Sequence, residues 1–224
     1  MALGLHANTW QQLLSKRQQR QHQPTLLVGI CGPSASGKSQ LSDLLLKQNP
    51  SIACIAQDGY YHPSEQVADL PYRHDNPDSI NFAALAASLR GVSQGQPVSV
   101  PVYDYVDHCV GGYTTLQPAP TVIVEGHLIL ANAELQELLD VSVWIDAHPD
   151  IRYARRLRRD VAERGRDEAD VKWRFWDEAI PAHNAYMAAC AEGCDVQIDN
   201  HEDHQLTHTA QALEQLFAAL LQTP

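Results

Sequence analysis

The stretch Gly32-Pro33-Ser34-Ala35-Ser36-Gly37-Lys38-Ser39 limits the folds open to this chain more than any other part of it. It satisfies GxxxxGK[ST], follows an apolar β-type run at 25–31 and precedes a helical pattern at 38–48. Strand, glycine-rich loop and helix in that order turn successive backbone N–H groups and the positive end of the helix toward phosphate oxygens. Lys38 can then reach the β and γ oxygens of ATP or GTP, and the Ser39 hydroxyl can bind Mg²⁺, with Gln40 in the first helical turn completing the nucleotide-binding set. At ordinary residue usage a chance match somewhere in such a chain is on the order of 1%.

Around this loop the sequence alternates β-type and helical patterns. Residues 25–31, 51–56, 121–124, 141–145 and 195–198 read as strands, and 38–48, 81–90, 132–139, 149–163, 167–191 and 204–222 as helices. Such alternation predicts an α/β fold of the P-loop NTPase type, a parallel sheet with helices on both faces whose ligands bind beyond the carboxyl ends of the strands. At 224 residues, one domain fits better than two. Trp10, Leu13 and Leu14 at helical spacing predict a peripheral helix over 7–20, which with a polar linker makes up 1–23, ahead of the main domain at 24–224. Residues 92–118, rich in Gly, Pro and Tyr, break the alternation. Short runs at 98–103 and 113–116 predict a β-hairpin insertion there.

The formal charge of −11 argues against nucleic acid or an anionic membrane as a partner. Yet Arg152, Arg155, Arg156, Arg158, Arg159, Arg164 and Arg166 are seven of the sixteen basic residues and fall within one short window. That asymmetry predicts a local polyanion site and a lid over about 152–168. Five cysteines without paired spacing indicate neither a disulfide framework nor a zinc site, and no apolar run is long enough for a membrane span. A soluble protein of the reducing cytoplasm is expected.

Two carboxylates end apolar runs. Asp58, in Gln57-Asp58-Gly59-Tyr60-Tyr61, is the candidate for orienting an acceptor hydroxyl and taking its proton, a task in which position matters more than base strength. Glu125, closing Thr121-Val122-Ile123-Val124, is the candidate for holding the metal or its water shell, so Ser39, Glu125 and Asp58 form the expected magnesium set.

With the loop, Gln57–Tyr61, Pro101-Val102-Tyr103-Asp104-Tyr105-Val106-Asp107-His108, Glu125-Gly126 and the lid stretch at 155–167, the chain resembles the uridine–cytidine kinase family of the phosphoribulokinase/uridine kinase group. The resemblance implies transfer of the γ-phosphate of ATP or GTP to a nucleoside hydroxyl. It implies Asp58 as the catalytic base, with Lys38 and Arg159 assisting. Tyr61, Asp75, Tyr103 and His108 would grip the nucleoside, the Asp75 carboxylate accepting from the ribose hydroxyls. Arg156, Arg159, Arg164 and Arg166 match the lid arginines, Asp203 matches a nucleotide-contacting acid, and the family's habit suggests a homo-oligomer.

Three departures bear on specificity. Arg174 stands where the family usually has a Gln that reads the pyrimidine edge, and Arg cannot accept a hydrogen bond. Gly59 stands where a Ser is usual, and the neighbours of Asp75 are changed. An Arg174 that contacts the acceptor would suit an anionic group, so nicotinamide riboside, ribulose 5-phosphate, pantothenate or another hydroxylated metabolite stays open as acceptor. A nucleotide-binding regulator without catalysis is the reading from another class.

Within 149–163, Arg152, Arg156 and Arg159 share one helical face, and Ile151, Ala154, Leu157 and Val161 form an apolar one. Arg152, Arg155 and Arg158 read as a solvated basic face paired with Asp150, Asp160 and Glu163. His62, His74, His127, His148, His183, His201 and His204 show no convergent ligand pattern and read as structural. Trp173 and Trp176 read as core or interface, and Cys190 and Cys194 as buried small apolar residues.

Overall fold

The computed structural model describes residues 7–105, 107, 109–202 and 205–222. Its strands are β1 (Leu26–Cys31), β2 (Ile52–Ala56), β3 (Val98–Asp104), β4 (Cys109–Leu116), β5 (Thr121–Gly126), β6 (Val141–Asp146) and β7 (Val196–Asp199). Five of them form a parallel sheet in the order β2-β5-β1-β6-β7, while β3 and β4 pair antiparallel as a separate hairpin. β1 is buried at every position, which explains its unbroken apolar sequence, because a central strand of a sheet covered on both faces has no side open to water.

The period of two along β1 divides the core. Leu26, Val28 and Ile30 pack with Leu41 and Leu45 of α2 (Lys38–Gln48) and with Leu213 and Phe217 of α8 (Leu206–Leu221). Leu27 and Cys31 face the opposite layer, with Leu85 and Leu89 of α3 (Phe82–Ser93) and Leu135 of α4 (Ala133–Leu138). Each fully buried Leu contributes roughly 1.5–3 kcal/mol by leaving water. The α/β class expected from the alternation is therefore the observed one.

α1 (Ala7–Gln19) is less peripheral than its polarity suggests. Leu13 is 1% exposed within the first core layer, Lys16 Nζ lies 3.3 Å from Asp195 Oδ2, and Arg20 Nη1 lies 3.3 Å from Asp140 Oδ1. Part of the polar tract read as linker is thus helix, its charges matched by acids beside the strands.

α5 (Pro149–Arg164) inverts its expected amphipathicity. Arg152, Arg156 and Asp160 are its buried residues, while Ala154 is exposed and Val161 is 38% exposed. Arg152 is not solvated: its Nε donates to Ala147 O at 2.9 Å and lies 3.4 Å from Asp146 Oδ1, and its guanidinium packs over Phe175. The ionic face is internal because acids wait for it there. Next, α6 (Glu168–Trp173) passes into a π-helical segment, Arg174–Ala179, then the short α7 (Ile180–Ala182) and a second π segment, His183–Met187. Pro181, which has no N–H to donate, interrupts the regular ladder where a continuous helix was expected. Phe175 is the buried aromatic here; Trp173 and Trp176 are 51% and 37% exposed. Cys190 and Cys194 are only partly buried, and all five cysteines are free.

Candidate functional site

Parallel register brings the chemistry to one edge. Cys31 pairs with Gly126 and Ala56 with Glu125, so the glycine-rich loop, Glu125 and the 3₁₀ turn Gln57–Tyr60 carrying Asp58 all leave the sheet at the carboxyl ends of adjacent strands. A cleft of about 770 Å³ opens there.

The loop needs its glycines. Backbone φ is +152° at Gly32 and +109° at Gly37, with Ala35 also left-handed at +62°. Asn200 Nδ2 donates to Ser36 O at 2.7 Å, bracing the loop from the end of β7. Ser34, Ala35, Gly37, Lys38, Ser39 and Gln40 line the cleft, whereas Gly32, Pro33 and Ser36 lie buried beneath it. A Cβ on Gly32 would meet Ile145 O at 1.9 Å, a backbone atom that cannot yield. Gly32→Ala is expected to weaken ATP binding by at least about tenfold while the sheet still forms, checked by calorimetric titration beside a thermal melt.

Lys38 Nζ donates to Pro33 O at 3.0 Å, and burial lowers its pKa against the opposing pull of Glu125. The Ser39 hydroxyl donates to Glu125 Oε1 at 2.7 Å. Glu125 Oε2 is buried and makes no hydrogen bond of normal geometry, although the Ser42 hydroxyl lies near the carboxylate. Burial raises the Glu125 pKa, with Lys38 opposing. A hydroxyl beside a carboxylate with one uncommitted oxygen suits a hard cation and its water shell, so Ser39 and Glu125 fit Mg²⁺.

Across the cleft, Asp58 Oδ2 accepts from Tyr105 Oη at 2.7 Å. Tyr61 and Tyr103 face each other at 5.6 Å between ring centroids, and Tyr61 Oη donates to His74 O at 2.9 Å. Burial pushes the Tyr103 hydroxyl up to about 12, with Asp58 adding to it, so it stays a neutral donor. Asp75 lines the same wall, 3.5 Å from His127 Nε2. Gly59 has its reason in the hairpin: a Cβ there would meet Pro101 O at 2.4 Å, so its smallness lets β3 close over the cleft.

Four of the arginines expected to form a lid converge on one buried carboxylate. Asp160, 0% exposed, has Oδ1 2.8 Å from Arg159 Nη2 and 3.3 Å from Arg164 Nη1, and Oδ2 3.4 Å from Arg156 Nε and 3.6 Å from Arg166 Nη1. Gly165, left-handed at φ +61°, ends α5 and folds Arg166 back over it. Arg164 also stacks on Tyr105, its Cζ 4.5 Å from the ring centroid, which links the arginine cluster to the Asp58 side. Arg155 and Arg158 line the cleft as well: Arg158 is exposed, as a solvated basic face requires, whereas Arg155 is half-buried and its Nη1 donates to Asn200 O at 3.1 Å. Arg174 reaches its wall, but its Nε donates to both Asp170 oxygens at 2.9 and 2.8 Å.

His108 and Asp203 lie outside the described residues. The cleft also holds Tyr105 and His127, and the buried Asp160 ties its arginines together; the sequence reading gave none of the three a site role. Tyr105 lies in the stretch 101–108, His127 follows Glu125-Gly126 directly, and Asp160 is spaced one helical turn from Arg156 and from Arg164. Those neighbours were the available signals.

The profile of the Phosphoribulokinase / Uridine kinase family matches residues 27–207. The chain is 38% identical over 159 residues to a uridine kinase of Shewanella frigidimarina (strain NCIMB 400), covering 66% of this chain and 75% of that protein. It is 35% identical over 180 residues to a uridine kinase of Staphylococcus carnosus (strain TM300), covering 78% and 86%. Its fold is like that of phosphoribulokinase from Rhodobacter spheroides, with a TM-score of 0.57 at 15% identity, covering 79% of this chain and 70% of that one.

Proposed function

Because the chain belongs to the phosphoribulokinase/uridine kinase family, we propose that it moves the γ-phosphate of ATP or GTP to the 5′-hydroxyl of a nucleoside, uridine or cytidine. It is an ATP-dependent phosphotransferase with an alcohol group as acceptor. The observation that carries the nucleoside reading is one cleft in which Lys38 and Ser39 lie opposite Asp58, with Tyr61, Tyr103 and Asp75 along the acceptor wall.

In this reading the loop N–H groups and Lys38 hold the β and γ phosphates. Ser39 and Glu125 would hold Mg²⁺, which would supply positive charge against that developing on the phosphate oxygens. Asp58 orients the 5′-hydroxyl in line with the γ-phosphorus. As the new O–P bond forms, the bond to the β-phosphate oxygen breaks, the hydroxyl proton passes to Asp58, and ADP or GDP leaves. The tyrosine rings offer flat apolar faces to a base, and Asp75 offers paired acceptors to ribose hydroxyls. Arg156, Arg159, Arg164 and Arg166 gather over the transferring group and exclude water.

The pairing of Arg174 with Asp170 bears on the acceptor's charge. A guanidinium already neutralised one helical turn away offers little to an anion, which supports an uncharged acceptor. The reading is tested by following ADP formation with uridine, cytidine, nicotinamide riboside, ribulose 5-phosphate and pantothenate. The expected result is a kcat/KM for uridine or cytidine at least about tenfold above the others, since a site built to bond particular hydroxyls discriminates strongly. A lead for ribulose 5-phosphate or pantothenate overturns it. Among the described residues no helix is long and apolar enough to cross a membrane, and free cysteines suit the proposed cytoplasmic setting.

A further inference from the structure

Gln57 is wholly buried between the turn that presents Asp58 and the end of β5. Gly126 makes room for it, since a Cβ there would meet Gln57 Oε1 at 2.4 Å. Its amide orientation follows from one contact: Oε1 accepts the backbone N–H of Leu128 at 2.8 Å, a donor no flipped NH₂ could face. Gln57 Nε2 is thereby left 3.3 Å from His127 Nδ1. An amide nitrogen can only donate, so Nδ1 is the acceptor and the ring proton resides on Nε2. Nε2 points to Asp75 Oδ1 at 3.5 Å and to His74 O at 3.3 Å. The imidazole side chain is 12% exposed, with the Tyr61 ring 6.4 Å from it between centroids.

We propose that His127 is a positioning residue for acceptor recognition. Its Nε2–H, fixed by the relay from Leu128 N–H through Gln57, donates to His74 O and stands 3.5 Å from Asp75 Oδ1, and so holds the turn that carries the Asp75 carboxylate toward the acceptor hydroxyls. This inference rests on the reading above in which Asp75 grips the acceptor. It adds a physical reason for the turn holding Asp75 to keep its register with the turn holding Asp58: Gln57 adjoins Asp58, and His127 follows Glu125-Gly126, so one chain of hydrogen bonds spans both strand ends and the acceptor wall. An unpartnered Asp75 would sample other rotamers, and the acceptor would have to select the competent one.

The test uses the full chain and the acceptor of highest kcat/KM in the panel above. His127→Leu is expected to raise the acceptor KM about tenfold, the scale of one hydrogen bond to a charged group, with kcat and the KM for ATP within about twofold. His127→Gln, which can still donate, is expected to recover part of the loss. In the Asp75→Asn background His127→Leu is expected to add nothing, because the turn it holds then carries no carboxylate. Melting curves establish that each variant is folded; should His127→Leu fail to fold, His127→Gln set against Asp75→Asn carries the same cycle. An unchanged acceptor KM in the folded variant overturns the proposal, as does a full additive loss in the double variant or an equal loss in the KM for ATP. If Asp75→Asn alone leaves the acceptor KM unchanged, the grip assigned to Asp75 fails, and His127 with it. A silent His127→Leu beside a damaging Asp75→Asn sinks the relay alone.

Discussion

Asp58→Asn is expected to lower kcat about 10³-fold while ATP affinity changes by less than about threefold, because a positioned general base contributes on the order of 10²–10⁴ to rate. The substitution preserves shape. Asn Oδ1 can still accept the hydrogen bond that Tyr105 now donates at 2.7 Å, so the turn and the Tyr105–Arg164 stack should persist. Lys38, Ser39 and Glu125 are untouched, and the loop that meets the phosphates is braced from Asn200 rather than from Asp58. What disappears is a group able to take the acceptor's proton and hold its oxygen in line. Initial rates at saturating acceptor, beside calorimetric ATP binding, separate the two effects. A kcat within tenfold of the parent would remove Asp58 from the role proposed for it.

Asp160→Ala is expected to be the most damaging change to stability outside the apolar core. Its carboxylate is fully buried, with four guanidinium groups between 2.8 and 3.6 Å away. Removing it leaves those cations facing each other, and stripping one partner from a buried ion pair costs roughly 3–5 kcal/mol. For a domain of this size that is a fall in Tm of roughly 6–20 °C. Acid should mimic the substitution. Burial alone would raise the Asp160 pKa, but Arg159, Arg164 and Arg156 together hold it below the ordinary carboxylate value. A depressed folded-state pKa means that the stabilisation is fully present above the unfolded-state pKa of about 4 and is lost as pH falls through the lower folded value. The gap in Tm between parent and variant should therefore be constant from neutral pH to about 5 and shrink below about 4. A constant gap down to pH 3 would contradict the ionic origin. The cluster is also loosely bonded on one side: Oδ2 has Arg156 and Arg166 near it, but no hydrogen bond of normal geometry. Asp160 can hold the arginines together and still release them to a triphosphate, so the variant should also bind ATP more weakly.

Both expectations involve residues of very different legibility in the sequence. Asp58 ends an apolar run and so announces itself, while Asp160 looks like one more acid in a charged helix. Periodicity shows that a helix has two faces but not which of them is buried. In α5 the arginine face turned inward because Asp146 at the end of β6 and Asp160 on the helix itself were there to neutralise it. No window of α5 alone contains Asp146. The same limit hid His127, an ordinary histidine until Gln57 and Asp75 are brought against it from two other segments. Gly59 was visible only as a departure, since its cause is the approach of Pro101 in β3.

By itself the sequence determined the α/β class, the phosphate loop, the hairpin and the two carboxylates at strand ends, because each depends on neighbours within about ten residues. Apolar runs make buried strands, glycines permit the left-handed turns of the loop, and a change of period marks a helix. Tertiary structure alone decided the strand order β2-β5-β1-β6-β7, the inward turn of the arginines onto Asp160, the relay from Leu128 to the turn that carries Asp75 and the place of the Arg174–Asp170 pair beside the cleft. Strand order and the relay join residues far apart in the chain, and even the short-range ion pairs take their burial and cleft position from distant segments. Those energies come into existence only when the sheet has brought its strand ends together.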